Sequence, residues 1–202
     1  LVIGSGIARN NPDLPEVGVV NSVLGGGFSG RLFANLREKH GYTYGAYSFF
    51  QPKKLGGAFS ASAQVRNEVT GAAVKEVFNE LKRITAEPVP EKELDLQKTY
   101  LAGNYLLSFE NNRRMAERLQ EIDLYGLPED FYETYAGRLM AVTPKAAETL
   151  ARKYLNPDQM TVVVVGKASD VLPQLEELGP VTVYDTDLKR KEATPPAEEK
   201  QP

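Results

Sequence analysis

The sequence predicts an α+β fold, a mixed and largely antiparallel β-sheet with helices packed on one face. Two observations predict it. The elements run strand, helix, helix, hairpin, several helices, strand, helix, strand, so the strict alternation of a doubly wound fold is missing. The central block carries Val74, Val77, Phe78, Leu81 and Ile84 at helical spacing, a stripe that must be buried against something. The 202 residues, 42% of them hydrophobic, are room for one real core. The expected organisation is one domain over 1–187 and a disordered tail over 188–202, where Lys, Glu, Ala and Pro dominate.

Each element follows from local chemistry. Residues 1–9 read as a strand, and the apolar start at Leu1 suggests a fragment of a longer protein. Asn10-Asn11-Pro12-Asp13 is a helix-start cluster for the helix over 14–24, with Val17, Val20 and Leu24 on its inner side. A glycine loop, Gly25 to Gly30, leads to a helix over 31–40, and Gly41 stands at the C-cap glycine position. Residues 42–51 and 58–65 form a hairpin around Pro52–Gly57. Pro88-Val89-Pro90 ends the striped helix. Helices follow over 91–108 and 112–125, the second with Met115, Leu119, Ile122 and Tyr125 on one side, and then over 129–141. Thr143-Pro144 is a cap and first-turn signal for 144–154. The β-branched run Met160 to Val165 is a strand, 168–178 a short helix and 181–185 a last strand.

Composition excludes several functions. The formal charge of −3 offers no general attraction for nucleic acid or anionic membrane. No stretch reaches the ~20 apolar residues of a membrane span. Cysteine is absent and His40 is the single histidine, so a His/Cys zinc site and the motifs HExxH and HxxEH are ruled out of this chain. A cysteine-free chain leaves the compartment open between bacterial periplasm and cytoplasm.

Gly25-Gly26-Gly27-Phe28-Ser29-Gly30 matches G-x-G-x-x-G. A dinucleotide site needs a strand before that loop, and here a helix precedes it. The loop reads instead as a helix-to-helix connection whose glycines allow close approach to another surface. Nucleotide binding by this loop would show as saturable uptake of ATP or NAD. The carboxylates Glu91, Glu93, Asp95, Glu121 and Asp123 read as solvated helix faces and first-turn dipole partners. Tyr42, Tyr44, Tyr47, Phe49 and Phe50 crowd one strand. Alternation puts Tyr42 and Tyr44 on one face with Ala46, Ser48 and Phe50, and Tyr47 and Phe49 on the other. Arg37 in the last helical turn and Tyr44 at the strand start are candidates to converge across Gly41 and hold a peptide carbonyl or oxyanion.

The segments Leu24–Phe33, Leu36-Arg37-Glu38-Lys39 and Gly41-Tyr42-Thr43-Tyr44 resemble the second-half, inactive domain of the M16 metallopeptidases, among them pitrilysin, insulin-degrading enzyme and mitochondrial processing peptidase. The resemblance covers roughly residues 1–185. It implies a LuxS/processing-peptidase-like α/β sandwich and a zinc-free half that encloses a peptide chamber with an HxxEH domain. That partner would lie on the same longer chain or on another subunit of a homo- or heterodimer, and zinc would be held there. By the same resemblance Arg37 and Tyr44 are catalytic, Tyr44 donating to the scissile carbonyl and Arg37 placing substrate. Gly25, Gly26, Gly27 and Phe28 would contact an extended peptide, and His40 has no metal role. The expected function is the substrate-binding half of an M16 zinc metalloendopeptidase, inactive alone. The alternative is a non-proteolytic assembly subunit with the same fold.

Overall fold

The computed structural model describes residues 1–191, and the expected tail lies outside the described residues from 192 onward. Four strands form one antiparallel sheet in the order β2-β3-β1-β4, with β1 Val2–Ser5, β2 Thr43–Lys53, β3 Gly56–Val65 and β4 Thr161–Val162. The helices are α1 Leu14–Leu24, α2 Arg31–Phe33, α3 Thr70–Ala86, α4 Glu91–Leu107, α5 Asn112–Tyr125, α6 Phe131–Met140, α7 Pro144–Tyr154 and α8 Ala168–Glu176. The α+β reading and most element positions agree with this architecture.

Register explains which side chains reach the core. Ser48 faces Ala61, Ala61 faces Val2, and Phe50 faces Phe59 with ring centroids 5.0 Å apart. Val2, Ala46, Phe59 and Ala61 pack with Val20 and Leu24 of α1, Leu32 of α2, Leu81 and Ile84 of α3, and Leu94 of α4 in one buried cluster. Helix ends follow capping chemistry. Thr143 Oγ1 accepts from the Ala146 amide at 3.2 Å, and Gly41 takes the left-handed φ of 63° that turns the chain back so that the Tyr42 amide donates to the Leu36 carbonyl at 2.9 Å.

Four expectations change. The first strand ends at Ser5, and beyond it only Ala8 bridges to Lys53. The run Met160 to Val165 pairs over Thr161–Val162, and Val163 closes the ladder by exchanging bonds with Leu1. Residues 181–185 form no strand, and Tyr184 makes an isolated bridge to Arg190 instead. The apolar side of α5 buries no residue, and Met115 and Leu119 lie exposed. That helix is held from its polar side: Arg9 pairs with Glu121 at 2.5 Å, and Arg118 lies 4.1 Å from the Phe109 ring centroid.

Candidate functional site

The candidate residues gather at the outer edge of β2. The glycine loop leaves α1, a helix, so the strand-to-helix context of a dinucleotide loop is absent here. The loop is pinned to the sheet. The Ser48 amide donates to the Gly25 carbonyl at 2.8 Å, and the Asn21 side-chain amide donates to the Ser48 carbonyl at 3.0 Å. A Cβ on Gly25 would stand 2.7 Å from the Ser48 nitrogen, so only glycine permits this approach. From the other side Gln97, 1% exposed, ties the loop to α4 through Ser29, while Ser22 donates to its Oε1. Gly25 is thus buried, and Phe28 projects, 71% exposed.

After Phe33 the helix widens into a π-helix over Ala34–Lys39, in place of the regular helix expected over 31–40. Leu36 points into the core and Arg37 outward. The Arg37 guanidinium carbon lies 4.7 Å from the Phe33 ring centroid. Phe33 meets Phe28 edge-on at 5.1 Å, and Tyr47 lies 6.1 Å from Phe28 and 6.3 Å from Phe33. These three rings and one guanidinium form an aromatic, cation-topped patch.

Tyr44 does not share the inward face with Ala46, Ser48 and Phe50. The ladder pairs Thr43 with Val65 and Ala46 with Ala63, so Tyr44 and Gly45 together oppose Gln64. This extra residue is a β-bulge, and it shifts the alternation by one. Tyr44 turns out to solvent, 94% exposed, while Ala46 is 1% exposed. Thr43 Oγ1 pins the bulge by accepting from the Gly45 amide at 3.1 Å. The Tyr47 ring lies where a Cβ on Gly45 would stand, which brings the bulge to the margin of the aromatic patch. Among the described residues no hydrogen bond joins Arg37 to Tyr44; they flank the patch.

Several residues of this region were not legible in the sequence. Phe33 and Tyr47 read as ordinary apolar positions, yet they carry the patch. Glu93, read as solvated, binds Arg31 through Nε at 2.7 Å and Nη2 at 2.8 Å. Burial disfavours the Arg31 charge, and the carboxylates of Glu93, Glu80 and Glu87 more than offset this and hold its pKa above the ordinary value. Asn35 Nδ2 donates to both Glu76 Oε2 at 2.9 Å and Glu80 Oε1 at 2.7 Å. Only the spacing of Glu76 and Glu80 by one helical turn hinted at a shared partner.

Comparison with known proteins bears on this same segment. The sequence profile described as the peptidase M16 inactive domain matches residues 3–101, from β1 through most of α4. This chain carries a peptidase M16 inactive domain. The M16 domain is 33% identical to the crystal structure of a peptidase M16 inactive domain from Pseudomonas fluorescens, with a TM-score of 0.74 over 79% of this chain and 38% of that one. It is 27% identical to an uncharacterized zinc protease of Streptomyces coelicolor over 82% of this chain and 36% of that protein. It is 26% identical to a protein of Helicobacter pylori named a non-peptidase homolog, over 76% of this chain and 35% of that protein. The chain spans just over a third of the length of these relatives. Among the described residues no group of three or more His, Cys, Asp or Glu side chains is placed to hold a metal. Nor is any described helix long and apolar enough to cross a membrane.

Proposed function

We propose that this M16 domain is the substrate-holding, zinc-free half of an M16 metalloendopeptidase, acting on extended peptides beside a domain or subunit that binds zinc through HxxEH. The observation that carries the reading is Tyr44, a large side chain left 94% exposed by a pinned bulge beside a cation-topped aromatic patch. With Phe28, 71% exposed, Tyr44 adds to an aromatic surface rather than standing singly, and exposed apolar patches of this kind serve as contact sites.

Each group has a chemical role in this reading. The Tyr44 hydroxyl donates to the scissile carbonyl oxygen as negative charge develops there. The Arg37 guanidinium, backed by the Phe33 ring, donates to a second oxygen of the peptide and fixes its register. Phe28 offers an apolar contact for a substrate side chain, and Gly26 and Gly27 let the peptide backbone come close, while the buried Gly25 braces the loop on β2. Zinc would be supplied by the partner, in a homo- or heterodimer or on a longer chain.

Replacing Tyr44 by Phe in the assembled enzyme tests this. Loss of one oxyanion donor costs about 10²–10³ in kcat, so a drop of that size with KM little changed is expected. Unchanged peptide cleavage would remove Tyr44 from the reaction. An assembly role without proteolysis is the second reading, favoured by the Helicobacter pylori relative's name as a non-peptidase homolog. It predicts that no peptide is cleaved even with the zinc-binding partner present.

A further inference from the structure

The seam beneath the candidate site holds polar groups that the reading above does not use. Five buried side-chain nitrogen or oxygen atoms lack a hydrogen-bond partner among the described residues: Arg31 Nη1, Asn35 Oδ1, His40 Nε2, Glu80 Oε2 and Arg118 Nη1. Asn35, His40 and Glu80 lie at the seam between the α2–π-helix segment and α3, and Arg31, at the start of that segment, is bound to Glu93 of α4. Arg31, Asn35 and Glu80 are 7%, 8% and 7% exposed. At the centre one amide group, Asn35 Nδ2, divides its two protons between two carboxylates of the same helix face. Glu76 and Glu80 would repel each other at this spacing without it. At the far end His40 Nε2 stands 3.9 Å from Glu76 Oε2, and the His40 ring stacks on Tyr42 with centroids 4.9 Å apart.

An apolar seam would hold two helices together more favourably, because each unpaired buried polar atom forfeits its hydration. The residues Ala34–Lys39 also adopt a π-helix, a geometry that is rare in general and frequent at functional sites. Both unfavourable features coincide at Asn35, the second residue of the π-helix, and Arg37 lies two positions on, exposed on the opposite side. The His40 amide closes the wide turn on the Asn35 carbonyl at 3.1 Å, so Asn35 is held by its backbone and by its side chain.

We propose that Asn35, through Glu76 and Glu80, is a positioning residue: it holds the wide turn open so that Arg37 stays seated over Phe33 at the rim of the patch. This inference rests on the reading of Arg37 as a substrate contact, but its test involves neither substrate nor cleavage. A guanidinium over an aromatic face experiences an upfield ring-current shift, so the Arg37 side-chain NMR signals report its seat directly. Asn35→Asp replaces the donor by a third carboxylate and is expected to abolish that shift. The triple variant Asn35→Asp, Glu76→Gln and Glu80→Gln reverses both bonds, two α3 amides now donating to the one carboxylate, and is expected to recover it. Asn35→Ala removes the amide without adding charge and serves if Asn35→Asp does not fold. Core methyl signals of Val77 and Leu81 report folding in each case. An unchanged Arg37 shift in a folded Asn35→Asp or Asn35→Ala protein would overturn the proposal. So would a series in which shift and fold are always lost together, or a triple variant that folds without recovering the shift. Any of these results would leave the effect of Tyr44→Phe on cleavage to judge the functional reading by itself.

Discussion

At the scale of single residues, the site is shaped by where side chains are forbidden as much as by where they act. Gly25 and Gly27 are two residues apart in one loop and differ completely in this respect. A Cβ on Gly25 would collide with the Ser48 backbone at 2.7 Å and with Leu32 at 2.8 Å, whereas a Cβ on Gly27 meets nothing within 4 Å. Gly25→Ala is therefore expected to cost about 1–3 kcal/mol by forced displacement, and Gly27→Ala to stay within about 0.5 kcal/mol. Urea denaturation of the two variants checks this; equal effects would mean that the loop does not press on β2. The glycine run announced close approach in the sequence, and the position of Gly41 announced its helix-ending role. Which glycines are indispensable depended on β2 passing behind the loop, and that contact spans residues too distant for local pattern to show. Tyr44 was placed on the wrong face for a related reason. Alternation assumes an unbroken ladder, and the extra residue opposite Gln64 is invisible until β3 is paired.

At the scale of elements, strong periodicity was legible and irregularity was not. The stripe of α3 is buried through Val77, Leu81 and Ile84, as its spacing requires. The π-helix over Ala34–Lys39 read as ordinary helix because Leu32, Phe33 and Leu36 satisfy both periods, and the widening coincides with Asn35 and its two carboxylates on α3. The valine run at 160–165 has strand propensity throughout but finds partners only opposite Leu1, Val2 and Ile3. The start of α1 is clasped by charge to the end of α7. Lys153 at 2.7 Å and the Tyr154 hydroxyl at 2.8 Å hold the Asp13 carboxyl below the ordinary carboxylate range. A depressed folded pKa stabilises above the unfolded value of about 3.9, and that stabilisation is lost as pH falls through the lower folded value. Asp13→Asn should accordingly cost less than about 1 kcal/mol at neutral pH, given the partial exposure of the pair. The difference from the parent should shrink on acidification toward the folded pKa, which denaturation midpoints at neutral pH and at a pH below the carboxylate range would reveal. A difference that grows on acidification would assign Asp13 another role.

At the scale of the whole molecule, one sheet and its helices carry the aromatic patch, Arg37 and Tyr44 on the β2 edge, while the ligands of a zinc site are missing from the described residues. The lone histidine was legible from composition, and its surroundings were not: His40 Nε2 is turned into the seam toward Glu76. Composition alone made the chain look unlike any metalloenzyme. Under the function proposed above, the M16 relationship gives the same absence a different meaning: the donors of this domain complete a reaction centred elsewhere. The most direct measurement is hydrolysis of an extended peptide in zinc-containing buffer by this chain alone, by the HxxEH domain alone and by the two combined. The account predicts no cleavage by this chain, little by the zinc domain, and full activity only in the combination. Cleavage by this chain alone, or a zinc domain as fast without it as with it, would contradict the account.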